Sequence, residues 1–433
     1  VTPKTSDPIP VPAALPLQGA LASDRGADVV RWLFPAYIFL ILAGFFALRS
    51  PGIMPSGNQL NPDRAVFTSV NAATLTGFQL SIHPSVFSVG GKVILLLLTV
   101  AGTLFTLIVG GMAARRILRL PWPDARIVAA ACIAEIFVLL IGAFATGERG
   151  AEKLVGGMVQ SAAAWANSGL YVDAAPEPGS LYTHVVLLPL SVFGGLGITV
   201  LIEIVDALLL RRPLSPHARR VLSMTALLFL VGFVGCLLFQ VTDLQALGWR
   251  KEGSVSWSDA LRNMLPHIVE SASATSINAR TAGMAILPVY SFPRAMAFFV
   301  MLLMMIGASP AGTGGGLKTT TVYELATAPV RLLRGLPLSR TTGIAATWFG
   351  LYLLALVFFQ MMLLWAEREM PGDRVLFVTV SALSNVGLSH DIISMTRSSV
   401  LLVAAAMFFG RVAPLLILWW MADTTRDAEL LVA

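Results

Sequence analysis

The stretch NAATLTGFQL, Asn71 to Leu80, lies between two long apolar runs. It is too polar, and too broken by Gly77, to cross a bilayer. Its N-terminal half is too apolar for an ordinary water-exposed loop. Three other stretches share its construction: LVGGMVQSAAAWANSGLYV from Leu154, MLPHIVESASATSINARTAGMAI from Met264 and VLFVTVSALSNVGLSHD from Val375. Each opens with helix-compatible residues rich in Ala, Ser, Val and Phe. Each closes on small or polar residues, a glycine (Gly77, Gly169, Gly283, Gly387) and an apolar residue. A unit that recurs four times outranks any single motif as a guide to architecture.

Between these interruptions the chain is built for lipid. Of its 433 residues, 56% are hydrophobic and 12% charged, with a mean hydropathy of +0.77. A soluble domain is nearer a quarter charged. A hydrocarbon core of about 30 Å needs about 20 apolar residues in a helix. Eight runs qualify: 29–48, 92–113, 126–145, 184–210, 221–240, 295–327 with a break, 342–365 and 400–421. The expectation is an all-α integral membrane protein with eight transmembrane spans. Its four pseudo-symmetric repeats, each helix, re-entrant half-helix and helix, surround a central pore. The repeats run 29–119, 120–213, 214–338 and 339–433, after a Pro-rich tail over 1–28. Arg115, Arg116, Arg119 and Arg126, then Arg211, Arg212, Arg219 and Arg220, then Arg331, Arg334 and Arg340 fall in alternate loops. Excess positive charge marks the cytoplasmic side, so both termini are expected there. The same placement makes the net charge of +6 a topological signal, not a nucleic-acid footprint.

Irregular backbone at membrane depth is tolerated where protein or a water-filled cavity satisfies it. Four such segments on one side satisfy one another by meeting on an axis. Carbonyl oxygens ringing that axis replace the hydration shell of a monovalent cation. Half-helices ending there add about half an elementary negative charge each. Two further features fit a pore. GASPAGTGGGLKTTT, Gly307 to Thr321, breaks the sixth run, and Gly312, Gly314, Gly315 and Gly316 leave it unable to hold a helix. The loop over 307–317 therefore reads as a gate, with Thr313 in it and Lys318 directly after it. It fails as a phosphate loop because Leu317 separates Gly316 from Lys318. Arg411 lies near the middle of the last run, where Arg costs roughly 2.5–3.5 kcal/mol. An interface about 15 Å away is beyond snorkelling reach, so it is expected to face the cavity or an acidic partner. Glu203 and Asp206 are expected to be solvated or paired with Arg211 and Arg212. Glu270, in the third half-helix, either raises cation density or bonds nearby amides. Five scattered histidines (83, 184, 217, 267, 390) and two cysteines inside apolar runs argue against an intramembrane enzyme and against a metal or disulfide framework.

TLTG, NSGL, RTAG and NVGL resemble the four filter segments of the Trk/Ktr/HKT superfamily of K+ transporters. GASPAGTGGGLKTTT resembles that family's intramembrane loop, and FFGRVAPL its Arg-containing last helix. With eight spans, the pattern is closest to the Ktr channel subunit. ESASATSINARTAG departs by holding extra residues before Gly283. The resemblance implies K+ contacts at the backbone of Leu75, Thr76 and Gly77; Asn167, Ser168 and Gly169; Thr281, Ala282 and Gly283; and Asn385, Val386 and Gly387. It further implies K+ as the transported ion, favoured by Gly77 where sodium-carrying members have Ser, with Na+ as a candidate activator. It implies a homodimer in the bacterial cytoplasmic membrane, set on a cytoplasmic ring of nucleotide-binding (RCK-type) regulatory subunits.

Overall fold

The protein is represented by a computed structural model. It describes residues 18–54, 59–79, 84–145, 150–172, 175–242, 257–284, 286, 289–338, 340–389 and 395–430. Residues 1–17 of the expected tail, and His83 and His390, lie outside the described residues.

Among the described residues, fourteen α-helices follow one another: α1 Gln18–Leu48, α2 Pro62–Ala73, α3 Val89–Ile117, α4 Asp124–Ala145, α5 Ala151–Ala166, α6 Leu188–Leu196, α7 Ile198–Leu210, α8 Pro216–Thr242, α9 Trp257–Ile277, α10 Arg294–Met305, α11 Thr319–Leu333, α12 Arg340–Ala366, α13 Gly372–Leu383 and α14 Arg397–Leu430. Among the described residues, α1, α3, α4, α8, α12 and α14 are long and apolar enough to cross a membrane. This is a multi-pass membrane architecture. The first helix begins at Gln18, earlier than the expected start at Val29, so the end of the Pro-rich tail is helical.

The fourth and sixth runs depart from continuous spans. A π turn, Thr183–Leu187, and α6 form the first limb of the fourth, and α7 turns away from them by 104°. Gly197, at φ +87, makes the corner, and a Cβ there would lie 2.7 Å from the Pro310 carbonyl oxygen. The bend thus admits the glycine-rich loop. The sixth run divides into α10 and α11 around that loop.

The helices α2, α5, α9 and α13 form the inner layer. Each packs on the helix before it and the helix after it in sequence: α1 and α3, α4 and α6, α8 and α10, α12 and α14. Each also packs on a helix from the neighbouring unit: α14 on α2, α3 on α5, α6 on α9 and α10 on α13. These contacts link the four inner helices in a closed order, with α14 packing back on α2.

Polarity is inverted relative to a water-soluble protein. Trp32, Phe39, Phe137, Phe144, Leu354 and Phe358 are exposed on the outside, where lipid is their solvent. Thr74, Thr76, Asn167, Ser168, Thr313, Ser384, Asn385 and Arg411 are buried at the centre. Glu203 and Asp206 are not paired as expected. Glu203 accepts from the Ser215 N–H at 2.9 Å and its hydroxyl at 3.0 Å, and Asp206 pairs with Arg126 at 2.5 Å. Arg126 reaches Asp206 across the α4–α7 packing, whereas Arg211 and Arg212 are exposed beyond the end of α7.

Candidate ion site at the meeting of four re-entrant turns

Three of the four inner helices end in the same hydrogen-bonded cap. Leu75, Asn167 and Asn385 take up the left-handed conformation, at φ 57°, 55° and 49°. The N–H of the next residue then reaches back five positions: Thr76 to Asn71 O at 3.1 Å, Ser168 to Ala163 O at 2.9 Å, Val386 to Ser381 O at 2.9 Å. This Schellman arrangement stops a helix while satisfying its last carbonyls. Side chains set the outgoing strand of two turns. Asn71 donates to Phe78 O and accepts from Phe78 N, both at 2.9 Å. Ser381 Oγ accepts from Gly387 N at 3.1 Å. The third turn is built otherwise: a π turn, Asn278–Ala282, carries α9 to Gly283, which accommodates the extra residues noted in the sequence. Thr281 and Ala282 close that turn.

The four glycines then pack edge to edge. A Cβ on Gly77 would lie 1.1 Å from Ser168 O, and one on Gly169 2.4 Å from Gly283 O. One on Gly283 would lie 1.5 Å from Val386 O, and one on Gly387 2.1 Å from Thr76 O. All four have positive φ. Each backbone therefore occupies the space a side chain on its neighbour would need, and the chain of contacts returns to its start. Glycine is required here both for its dihedral angles and for the approach.

Beneath this ring lies the loop between α10 and α11. Its two ends are zipped by Gly307 N to Leu317 O at 3.0 Å and Leu317 N to Met305 O at 2.9 Å. Thr313 ties its middle to the turns. The Thr313 hydroxyl donates to Trp165 O at 3.0 Å and accepts from Asn167 Nδ2 at 2.6 Å; its N–H donates to Gly194 O at 3.1 Å. Arg411, 3% exposed, donates from Nε to Thr74 O at 2.8 Å and from Nη1 to Thr313 O at 2.5 Å. Its partners are backbone carbonyls of the first turn and the loop, so of the two expected surroundings, the cavity or an acidic partner, the acidic partner is not the one it takes. Lys318 Nζ donates to Gly314 O at 2.7 Å, folding the far side of the loop onto itself. Gly312 lies against Gly195 O and Gly315 against Ser384 O. Asn385 joins the fourth turn to the first and to α14, donating to Thr76 Oγ1 at 3.0 Å and Met407 O at 2.8 Å. Glu270 lies 3.6 Å from His267 Nδ1, away from these contacts.

A family model described as TrkH, cation transport protein, matches residues 126–422. This chain belongs to that TrkH family. Ktr system potassium uptake protein B of Bacillus subtilis is 25% identical over 258 residues, 58% of this chain and 55% of that protein. The protein of the same name from Vibrio alginolyticus is 28% identical over 248 residues, covering 54% and 51%. The potassium/sodium uptake protein NtpJ of Enterococcus hirae is 27% identical over 263 residues, covering 58% and 55%. The chain thus spans about half the length of these curated relatives. The crystal structure of the potassium transporter TrkH from Vibrio parahaemolyticus superposes with a TM-score of 0.63 at 17% identity, over 87% of this chain and 82% of that one. That likeness concerns the fold alone.

Within this TrkH-family chain, the sequence singled out the four glycines and the left-handed Leu75, Asn167 and Asn385 before three of them, but not Asn71 and Ser381, which brace two of the turns. Asn71 and Ser381 stand six positions before Gly77 and Gly387, a spacing that could have exposed them. Thr313 reads from the sequence as a gate residue, without its bonds to Trp165, Asn167 and Gly194. Its contacts join residues more than a hundred positions apart, and no local pattern announces them.

Proposed function

We propose that this chain passes K+ inward across a bacterial cytoplasmic membrane through a filter of backbone carbonyls. The filter lies at Leu75, Thr76 and Gly77, Asn167, Ser168 and Gly169, Thr281, Ala282 and Gly283, and Asn385, Val386 and Gly387. The observation that carries this reading is the closed circuit of four glycine turns. A ring of peptide groups held this tightly presents oxygens at fixed spacing, which is what replacing a hydration shell demands. The four units, 29–119, 120–213, 214–338 and 339–433, are pseudo-symmetric repeats about the pore, and eight spans follow when each broken run counts as one. The loop carrying Gly312, Thr313, Gly314, Gly315, Gly316 and Lys318 is the gate, with Arg411 as a positive barrier beneath the filter that works with it. The relatives' names, potassium uptake proteins, support K+ as the cargo. A homodimer resting on a cytoplasmic nucleotide-binding ring completes the assembly, with the Arg-rich loops facing the ring.

Growth of a K+-uptake-deficient bacterium at limiting K+ tests this. The wild-type chain is expected to restore growth. Gly77→Ser, which pushes a side chain into the Ser168 carbonyl, is expected to abolish it or to admit Na+. Unchanged growth and unchanged K+ preference in Gly77→Ser would count against the filter. The name of NtpJ, a potassium/sodium uptake protein, favours a second role for Na+ as activator. K+ uptake into vesicles with and without Na+ separates the two, since a Na+-independent rate removes the activator.

A further inference from the structure

The third turn differs from the others, and its difference ends in a side chain. Three positions before the glycine, the other turns carry Thr74, Ala166 and Ser384; this one carries Arg280. No residue of the third turn before Gly283 is left-handed, and the π turn takes its place. Arg280 is 6% exposed, a guanidinium sunk beside the ring. Its Nη1 donates to Thr225 O on α8 at 3.3 Å, and its Nη2 to Gly307 O at 3.4 Å. Nε has no partner. Gly307 opens the loop, and its N–H is held by Leu317 O at the loop's other end. A bond to the Gly307 carbonyl therefore bears on both ends of the loop at once.

We infer that Arg280 is a positioning residue, a second tether that keeps the loop closed and couples it to the ring. The inference rests on reading the loop as the gate. Arg411 fastens the middle of the loop, at Thr313, to the first turn. Arg280 fastens its base, at Gly307, to the third turn and to α8. The two cations grip different parts of the loop and different turns. When the base of the loop moves away, Gly307 O leaves Nη2, and a buried donor already short of partners loses another. An unsatisfied buried charge-bearing group is costly, so the closed position is favoured. Arg280 lies on the same π turn that delivers Gly283 to the ring, so displacement of the loop base pulls on the third turn. Coupling between two sites is reciprocal: ions seated in the ring shift the loop, and the loop shifts ion affinity. Lysine cannot stand in fully, because one ammonium lacks the planar fork that spans two carbonyls on separate elements.

K+ uptake by purified full-length protein in lipid vesicles, without any regulatory subunit, tests the tether. Four chains are compared: wild type, a loop deletion within 312–316, Arg280→Gln and Arg280→Lys. Arg280→Gln is expected to raise basal uptake about tenfold, the shift that follows from losing a charge-assisted hydrogen bond. Arg280→Lys is expected to lie between it and wild type, with K+ preference over Na+ retained in both. The concentration of K+ giving half-maximal uptake is expected to move in Arg280→Gln, a change that mere loss of folded protein does not produce. Wild-type uptake and half-saturation in Arg280→Gln, alongside raised uptake in the loop deletion, would overturn the tether and leave the gate standing. Unchanged uptake in the loop deletion would overturn the gate itself. If Arg280→Gln does not yield monodisperse protein, Arg280→Lys decides, and wild-type behaviour there overturns the proposal.

Discussion

Asn71 holds the first turn from within. Its amide closes a two-way bridge to Phe78 across the glycine, and it is 3% exposed. Removing one side of a buried hydrogen-bonded pair costs about 1–3 kcal/mol per stranded group. Asn71→Leu keeps the volume but strands both the N–H and the C=O of Phe78. The expected outcome is a lower thermal midpoint in detergent together with weaker discrimination of K+ from Na+. Asn71→Asp, which still accepts from the Phe78 N–H, should keep more of both. Equal behaviour of the two variants in a paired melting and ion-competition assay would show that the bridge does not set the turn. At this scale the sequence was legible where geometry forces residue type. A glycine with positive φ and a neighbour's carbonyl in its Cβ position can be little else, so the four glycines stood out. Arg411 stood out because charge at membrane depth is costly. Its partners did not, because backbone carbonyls carry no side-chain signature. The same blindness covers Thr313 and Thr74.

Among elements, α11 connects the loop to the rest of the protein. It starts directly after Lys318, and its Glu324 is 8% exposed. Glu324 lies 3.5 Å from Arg220 on α8 and 3.5 Å from Arg331 on its own helix, and accepts from the Thr342 hydroxyl of α12 at 3.2 Å. One carboxylate thus pins α11 between the helices on either side of it. Both arginines keep substantial contact with solvent, so screening reduces what each pair contributes. Glu324→Gln is expected to destabilise the folded protein by about 1 kcal/mol and to raise uptake by loosening the helix that carries the loop. Thermal denaturation and vesicle flux on the same preparation check it; a stability loss with unaltered flux would mean that α11 is anchored but does not govern the loop. The elements themselves were largely readable, because long apolar runs have few alternatives. The fourth run misled, because averaged hydropathy is blind to a corner. Its FGGLGI sequence, Phe193 to Ile198, held the signal. The pairing of Asp206 with Arg126 was missed for a related reason: neighbours in sequence drew attention from a partner brought in by helix packing.

For the whole molecule, sidedness decides whether the ring can serve uptake. The inner helices run with their C-terminal ends toward the ring, and helix C-termini carry partial negative charge. A cation entering from the side on which these helices begin meets the ring first and the loop afterwards. That order gives a filter at the entrance and a gate behind it only if the Arg-rich loops lie inside. By the positive-inside rule, Arg211 and Arg212 are expected in the cytoplasm and Glu177, ahead of the π turn at Thr183, outside. Cysteine labelling separates the two arrangements. In a chain with Cys132→Ala and Cys236→Ala, a membrane-impermeant maleimide added to intact cells should modify Glu177→Cys. It should modify Arg212→Cys only after the membrane is opened. Both positions fall in segments that the contacts of the ring do not use, so neither substitution should alter uptake. The reverse labelling pattern would put the gate on the entry side. The half-helices would then receive ions from the cytoplasm, and the closed circuit of glycine turns would be arranged for release of K+ instead of its capture.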